Sequence, residues 1–257
     1  MGGASVGFLF GYQLKEYLRL RRMMVWIIVA LALLGATLAF RHVNPDQSKT
    51  DAYVLLSSVI VFRLLALAAA ILATGVVSQE VEQKTIVYLL TRPVPRWRYL
   101  IGRTAAAMVV TFLVALLSAV AVSLAIFGGL SQLFFNDIPA LAAGAAAYVA
   151  LFTLFSLLVN RAMIVCLLFA FGWELAIPNL GGDIYLLSIN SYLTAIAHHP
   201  SAEGGTDLMD VLGGLGGTNS LSSPAAWSLA LGVTAVSLAF GTAWFSQREY
   251  VPREDSE

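Results

Sequence analysis

Charge is scarce in this sequence. Aspartate, glutamate, lysine and arginine make up 12% of its 257 residues, against about 25% in a soluble domain. That shortage excludes an ordinary water-soluble globule. A hydrophobic share of 59% and a mean hydropathy of +0.81 exclude a disordered chain, which needs low hydrophobicity. Cysteine is nearly absent. Cys166 stands alone, so no disulfide can form within one chain, and its apolar surroundings read as those of a buried small hydrophobe. Lysine is scarce too, at three residues. A phosphate-binding loop needs G-x-x-x-x-G-K-S/T, whose amides and lysine cradle the phosphates. Lys49 and Thr50, or Lys84 and Thr85, resemble its tail, but Ser48 and Gln83 stand where the second glycine belongs. The run Gly213, Gly214, Gly216 and Gly217 has no following lysine and reads as an outer loop. H-E-x-x-H does not occur. No catalytic residue is expected, and the chain does not read as an enzyme.

What the sequence has in abundance is long apolar runs. A spanning helix needs roughly 20 mostly apolar residues. Six stretches qualify, at about 23–40, 51–77, 104–128, 138–159, 162–180 and 224–245. A membrane β-barrel would instead show strands of about ten residues with alternating polarity. The fold class is therefore all-α, a polytopic membrane protein with six transmembrane helices in a single transmembrane domain over 1–257. The first run follows Arg19, Arg21 and Arg22, as a signal peptide would, but 22 residues precede it and no convincing small-x-small cleavage site follows. It reads as a retained span. Asn160 and Arg161 alone join the fourth and fifth spans, which makes those helices antiparallel neighbours.

Net charge is zero and says nothing, but placement does. With the N-terminus inside, the inner segments hold twelve of the fifteen basic residues. The outer segments hold Arg41 and Lys49, and Arg63 lies within a span. The outer loop 181–223 has four acids (Asp183, Glu203, Asp207 and Asp210) and no lysine or arginine. The positive-inside rule puts both termini in the cytoplasm, with the chain in the cell (inner) membrane. Before the first span, Phe10, Leu14, Tyr17 and Leu18 share one helical face, and Lys15, Arg19 and Arg22 share the other. Residues 5–22 thus read as an amphipathic interfacial helix.

The segment 78–103, between the second and third spans, carries the most information. Glu80 and Glu82 stand near the start of a short helix, where its dipole favours anions. Ile86, Leu89 and Leu90 make an apolar stripe, and Pro93 and Pro95 stop the helix. Arg92, Arg96, Arg98 and Arg103 follow, with Trp97 and Tyr99 at the membrane border. A rigidly punctuated helix on the inner face can pass a push from a soluble partner into two spans.

The run E-x-E-x-K-T-I-x-x-L-L-x-x-P-V-x-R-x-x-Y-L-x-G-R resembles the coupling segment of ABC type-2 transporter permeases. It is especially similar to the subgroup that includes the permease of the nitrous-oxide-reductase maturation system. Glu80, Glu82, Lys84, Thr85, Leu89, Leu90, Pro93, Arg96, Tyr99, Leu100 and Gly102 match. Lys84 stands where many relatives have glycine, and Arg103 where many have lysine. The resemblance implies a half-transporter that pairs with a second copy or a sister permease in the lipid bilayer. Separate cassette ATPase subunits would bind below, with ATP and magnesium held by those partners and no cofactor on this chain. Glu80, Glu82, Lys84, Thr85, Leu89, Leu90, Arg92, Pro93 and Arg96 are then the ATPase-coupling residues. The resemblance also implies an outer segment that dips back into the membrane, for which Tyr185–Ala197 is apolar enough.

Two charges interrupt the spans. Arg63 and Glu174 each lie roughly 20 Å from the inner end of their helix at about 1.5 Å per residue, so they are expected to pair. The pair reads either as a polar element beside a pathway or as a structural tie between the second and fifth spans. Ala140, Gly144, Ala143 and Ala147 give small-xxx-small spacing, which permits close packing within the subunit. His42, His198 and His199 all fall outside. Neighbouring histidines cannot easily address one metal, so they are expected to be solvated, and no metal site is expected. The alternatives to an exporter permease are an ATP-independent carrier or channel, and a membrane scaffold or assembly factor. Nothing points to nucleic acid.

Overall fold

A computed structural model describes residues 3–82, 96–177, 183–199 and 221–247. These residues are helical, with no strand among them. Five helices are long and apolar enough to cross a membrane, and a sixth, Ala162–Ala176, is apolar but shorter.

The N-terminal helix α1 (Gly3–Tyr17) and the first span α2 (Leu20–Val43) are separate. Arg19 breaks them with an extended ψ of 132°. The amphipathic helix expected over 5–22 therefore ends at Tyr17, and Arg21 and Arg22 sit in the first turn of α2. Phe10, Leu14 and Tyr17, which share the apolar face, pack against the bundle. Leu18, beyond the end of the helix, is exposed.

The second span is one continuous rod. It begins as α3 (Lys49–Leu56), passes through a π-helical stretch over Ser57–Val61, and continues as α4 (Phe62–Glu82). Ser48 caps it: its hydroxyl accepts from the Asp51 amide at 3.1 Å and donates to the Asp51 carboxylate at 2.7 Å. The third span is α5 (Arg96–Phe127). It starts before the expected Thr104, because Trp97 to Arg103 are already helical. Gly128 turns the chain with φ +75°, a conformation that glycine adopts without steric penalty.

α6 (Gln132–Leu158) follows, capped by Ser131, whose hydroxyl accepts from the Phe134 amide. The helix thus begins before Ile138, where the expected span starts, and Pro139 lies inside it. The fifth span is α7 (Ala162–Leu168), a second π stretch over Phe169–Trp173, and α8 (Glu174–Ala176). After a 3₁₀ turn, Asp183–Leu187, the short helix α9 (Ile189–Ile196) is buried against α6 and α10 (Ser223–Gln247).

α6 is the centre of the bundle. It packs against α4, α5, α7, α9 and α10. Small residues let it do so, since helices in lipid associate by close van der Waals packing rather than by a hydrophobic drive. Ala140, Ala145 and Ala147 are buried, as are Ala66, Ala68, Ala69, Ala70 and Ala73 of α4. A Cβ on Gly144 would come 2.6 Å from Leu65 Cδ2 and 2.8 Å from Leu193 Cδ2. The small-residue stripe thus serves packing inside this chain. Cys166 is fully buried.

Candidate functional site

Two buried carboxylates organise the polar interior. Asp137 lies in the second turn of α6 and is fully buried. Its Oδ2 accepts from the Tyr53 hydroxyl at 2.8 Å and the Ser57 hydroxyl at 2.7 Å. Tyr53 and Ser57 stand four residues apart, so one helical face presents both. Ser57 opens the first π stretch, and such bulges re-aim side chains at functional positions. The Asp137 Oδ1 receives His199 Nε2 at 2.8 Å, with both side chains fully buried. Because a carboxylate accepts, Nε2 is the donor. The His199 ring stacks on Phe62, with centroids 5.5 Å apart. Its Nδ1 is buried without a hydrogen-bond partner among the described residues.

This cluster is not expected from the sequence, in which Asp137 reads as part of a polar connection with Asn136 and His199 as one of the solvated outer histidines. The His199 expectation is corrected: the segment carrying it folds back into the bundle and trades water for Asp137. His198, next to it, is exposed, as is His42. Two signals were present in the sequence. Tyr53 and Ser57 make a polar pair at helical spacing in an apolar run, and Ser131 is a helix cap that draws Asp137 inside α6. Among the described residues no group of three or more His, Cys, Asp or Glu could hold a metal ion.

Glu174 opens α8 directly after the second π stretch and is fully buried. Its Oε2 accepts from the Ser188 hydroxyl at 2.6 Å and the Asn190 amide at 3.1 Å, and its Oε1 from the Ile189 amide at 3.0 Å. It therefore sits at the N-terminus of α9, where free amides and the helix dipole both favour an anion. The Arg63 guanidinium acts on this carboxylate electrostatically, and its Nη1 donates to the Ala170 carbonyl at 3.3 Å. The two charges singled out from sequence thus share one neighbourhood. Ala162, Cys166, Ala170 and Glu174 are all buried. A spacing of four drifts around a regular helix of 3.6 residues per turn; the wider π turn brings Glu174 back into line.

At the other end of the bundle, α1 packs on α5. The Tyr17 hydroxyl donates to the Leu72 carbonyl of α4 at 3.3 Å. Arg103 of α5 is buried, hydrogen-bonded to the Tyr99 hydroxyl, and lies 5.2 Å from that ring's centroid. Burial pushes the Tyr17 phenol above its ordinary value, against the pull of Arg103. α1 thus bridges the two helices whose ends flank residues 83–95. Of the expected coupling residues, Glu80 and Glu82 fall in the last turn of α4, and Arg96 is the first residue of α5. Lys84, Thr85, Leu89, Leu90, Arg92 and Pro93 lie outside the described residues.

A comparison with curated proteins finds no match. A comparison with family models finds one: residues 14–179 match the model described as ABC-2 family transporter protein. The matched stretch takes in Tyr53, Ser57, Arg63, Asp137 and Glu174 and ends before α9. A long all-α chain of apolar helices, with its N-terminal helix docked across the second and third spans, thereby joins a known class: the chain belongs to the ABC-2 transporter family, as a multi-pass membrane permease.

Proposed function

We propose that this chain is the transmembrane subunit of an ATP-driven ABC exporter and that separate cassette ATPases drive it. One observation carries the reading beyond the family. α1 is fastened by Tyr17 to Leu72 and lies beside Arg103, so a force applied between α4 and α5 reaches three helices together. Residues 78–103 are the contact for the ATPase: Glu80 and Glu82 at the end of α4, Lys84, Thr85, Leu89, Leu90, Arg92 and Pro93 between the helices, and Arg96 at the start of α5. ATP and magnesium reside on the partners. Two permease chains, identical or sisters, complete the pathway. The charge placement supports cytoplasmic termini in the inner membrane. The burial of α9 supports an outer segment that re-enters the bundle. The coupling segment's resemblance to the subgroup of nitrous-oxide-reductase maturation makes that subgroup part of the proposal.

A second reading, an ATP-independent carrier, draws on different observations. Carriers use interrupted helices and buried charges, and this chain has two π-interrupted spans and buried Asp137 and Glu174. A pull-down separates the two. The full chain, tagged at its C-terminus and gently solubilised, is expected to bring down a cassette ATPase that hydrolyses ATP. Recovery of intact, folded chain alone, with no such ATPase encoded nearby, overturns the exporter reading in favour of the carrier.

A further inference from the structure

α9 is tied at both ends to carboxylates on other helices, and the two ties differ in kind. At its start, Glu174 accepts from Ser188, Ile189 and Asn190. Two of those donors are main-chain amides that need an acceptor at any helix N-terminus. At its far end, the tie to Asp137 is the His199 ring. That ring leaves Nδ1 buried and without a partner among the described residues. Its neighbour His198 holds a φ of 56°, the left-handed region that residues other than glycine occupy under strain. The far end therefore carries an unmet polar atom and a strained residue, and the start carries neither.

We propose that α9 is a flap, hinged at Glu174 and latched by His199 on Asp137, whose C-terminal end swings out of the bundle. Each part of the latch supports release. In water Nδ1 gains a partner and His198 is free to relax. Asp137 keeps Tyr53 and Ser57 as donors, so the site left behind is not stripped of hydrogen bonds. The latch sits beside Tyr53 of α3, at the opposite end of the second-span rod from residues 83–95. If the chain is the exporter proposed above, the flap closes the pathway at its outer end; that extension rests on the exporter reading, and the flap does not.

The test uses the purified full chain in detergent with Cys166→Ala, and matched probes at two buried isoleucines. Ile189 is 3% exposed and Ile196 is 2% exposed. Each is replaced by cysteine in turn and treated with a charged, water-soluble methanethiosulfonate. His199→Ala is expected to raise the labelling rate at 196 by about tenfold or more, as a shift toward the open state requires, and to leave 189 within about twofold. His199→Gln, which keeps an N–H donor near the place of Nε2, is expected to restore slow labelling at 196. An equal rise at both positions, or no rise at either, overturns the proposal. Should His199→Ala fail to fold, hydrogen exchange on the unaltered chain reads the same asymmetry. The amides of Ala197 and His199, bonded to Leu193 and Thr194 carbonyls, are expected to exchange before those of Ile189 and Asn190. Equal or reversed order overturns it.

Discussion

Asp137 satisfies three side-chain donors from two other segments, Tyr53, Ser57 and His199. Hydrogen bonds to a charged group contribute about 1.5–3 kcal/mol each, and a buried donor left unmet costs about 1–3 kcal/mol. Asp137→Ala is therefore expected to lower stability by about 3 kcal/mol or more, as breaking a buried pair does. Asp137→Asn should lose much less, because hydroxyls rotate to suit an amide. Thermal unfolding of the two variants in detergent checks the difference; equal losses would point to packing rather than hydrogen bonding. Tyr17 gives a prediction about pH. Its phenol is raised by burial, so the folded state holds the proton after the unfolded state has released it. Stability from this group is complete below about pH 10 and declines as pH rises above it. Comparing thermal stability between pH 8 and 11, Tyr17→Phe is expected to be less sensitive to alkali than the unaltered chain. At this scale the sequence was uneven. Arg63 and Glu174 stood out because charge inside an apolar run is conspicuous. Asp137 did not, because it lies at the edge of such a run beside Asn136, where polarity reads as a turn.

The helices were legible as apolar runs of sufficient length, and their ends were not. Trp97 to Arg103 looked polar enough to lie outside the membrane. In the fold Arg103 is buried and hydrogen-bonded to the Tyr99 hydroxyl, which a residue count cannot foresee. The π stretches have no sequence signature either, because they answer to tertiary alignment rather than to local propensity. The small-residue stripe of α6 was legible, and it yields a sharp test. Gly144→Val is expected to destabilise the fold by about 1–3 kcal/mol through overpacking. Leu193→Ala removes one of the two side chains that the new group meets, the other being Leu65. The double variant should therefore lose less than the sum of the two single losses, as for any pair in contact. Additive losses in a melting series would place the strain elsewhere.

For the whole molecule, the fold class followed from composition, since so little charge leaves few alternatives to a membrane. The folding back of α9 was expected from the resemblance alone, and its two anchors did not follow, because they depend on contacts such as that between Asp137 and His199, 62 residues apart. The junction of α1, α4 and α5 leads to a prediction about assembly. Arg96→Glu is expected to reduce co-purification of the ATPase by about tenfold while leaving the chain's own melting temperature unchanged, since one lost charge contact in a partly desolvated interface is worth about 1.4 kcal/mol or more. Undiminished co-purification would remove Arg96 from the docking surface.

Arg63 also bears on how the chain is made. The carbonyl that accepts its hydrogen bond lies 107 residues downstream. At about 5–20 residues per second, a ribosome takes on the order of ten seconds to deliver it. For that interval the newborn second span carries a guanidinium into the membrane before the fifth span exists to receive it. An unmatched arginine at mid-bilayer costs about 2.5–3.5 kcal/mol on insertion scales. Until Ala170 and Glu174 emerge, the apolar residues around Arg63 must offset that cost. The second span therefore acquires its final polar partner only when a helix made much later packs beside it.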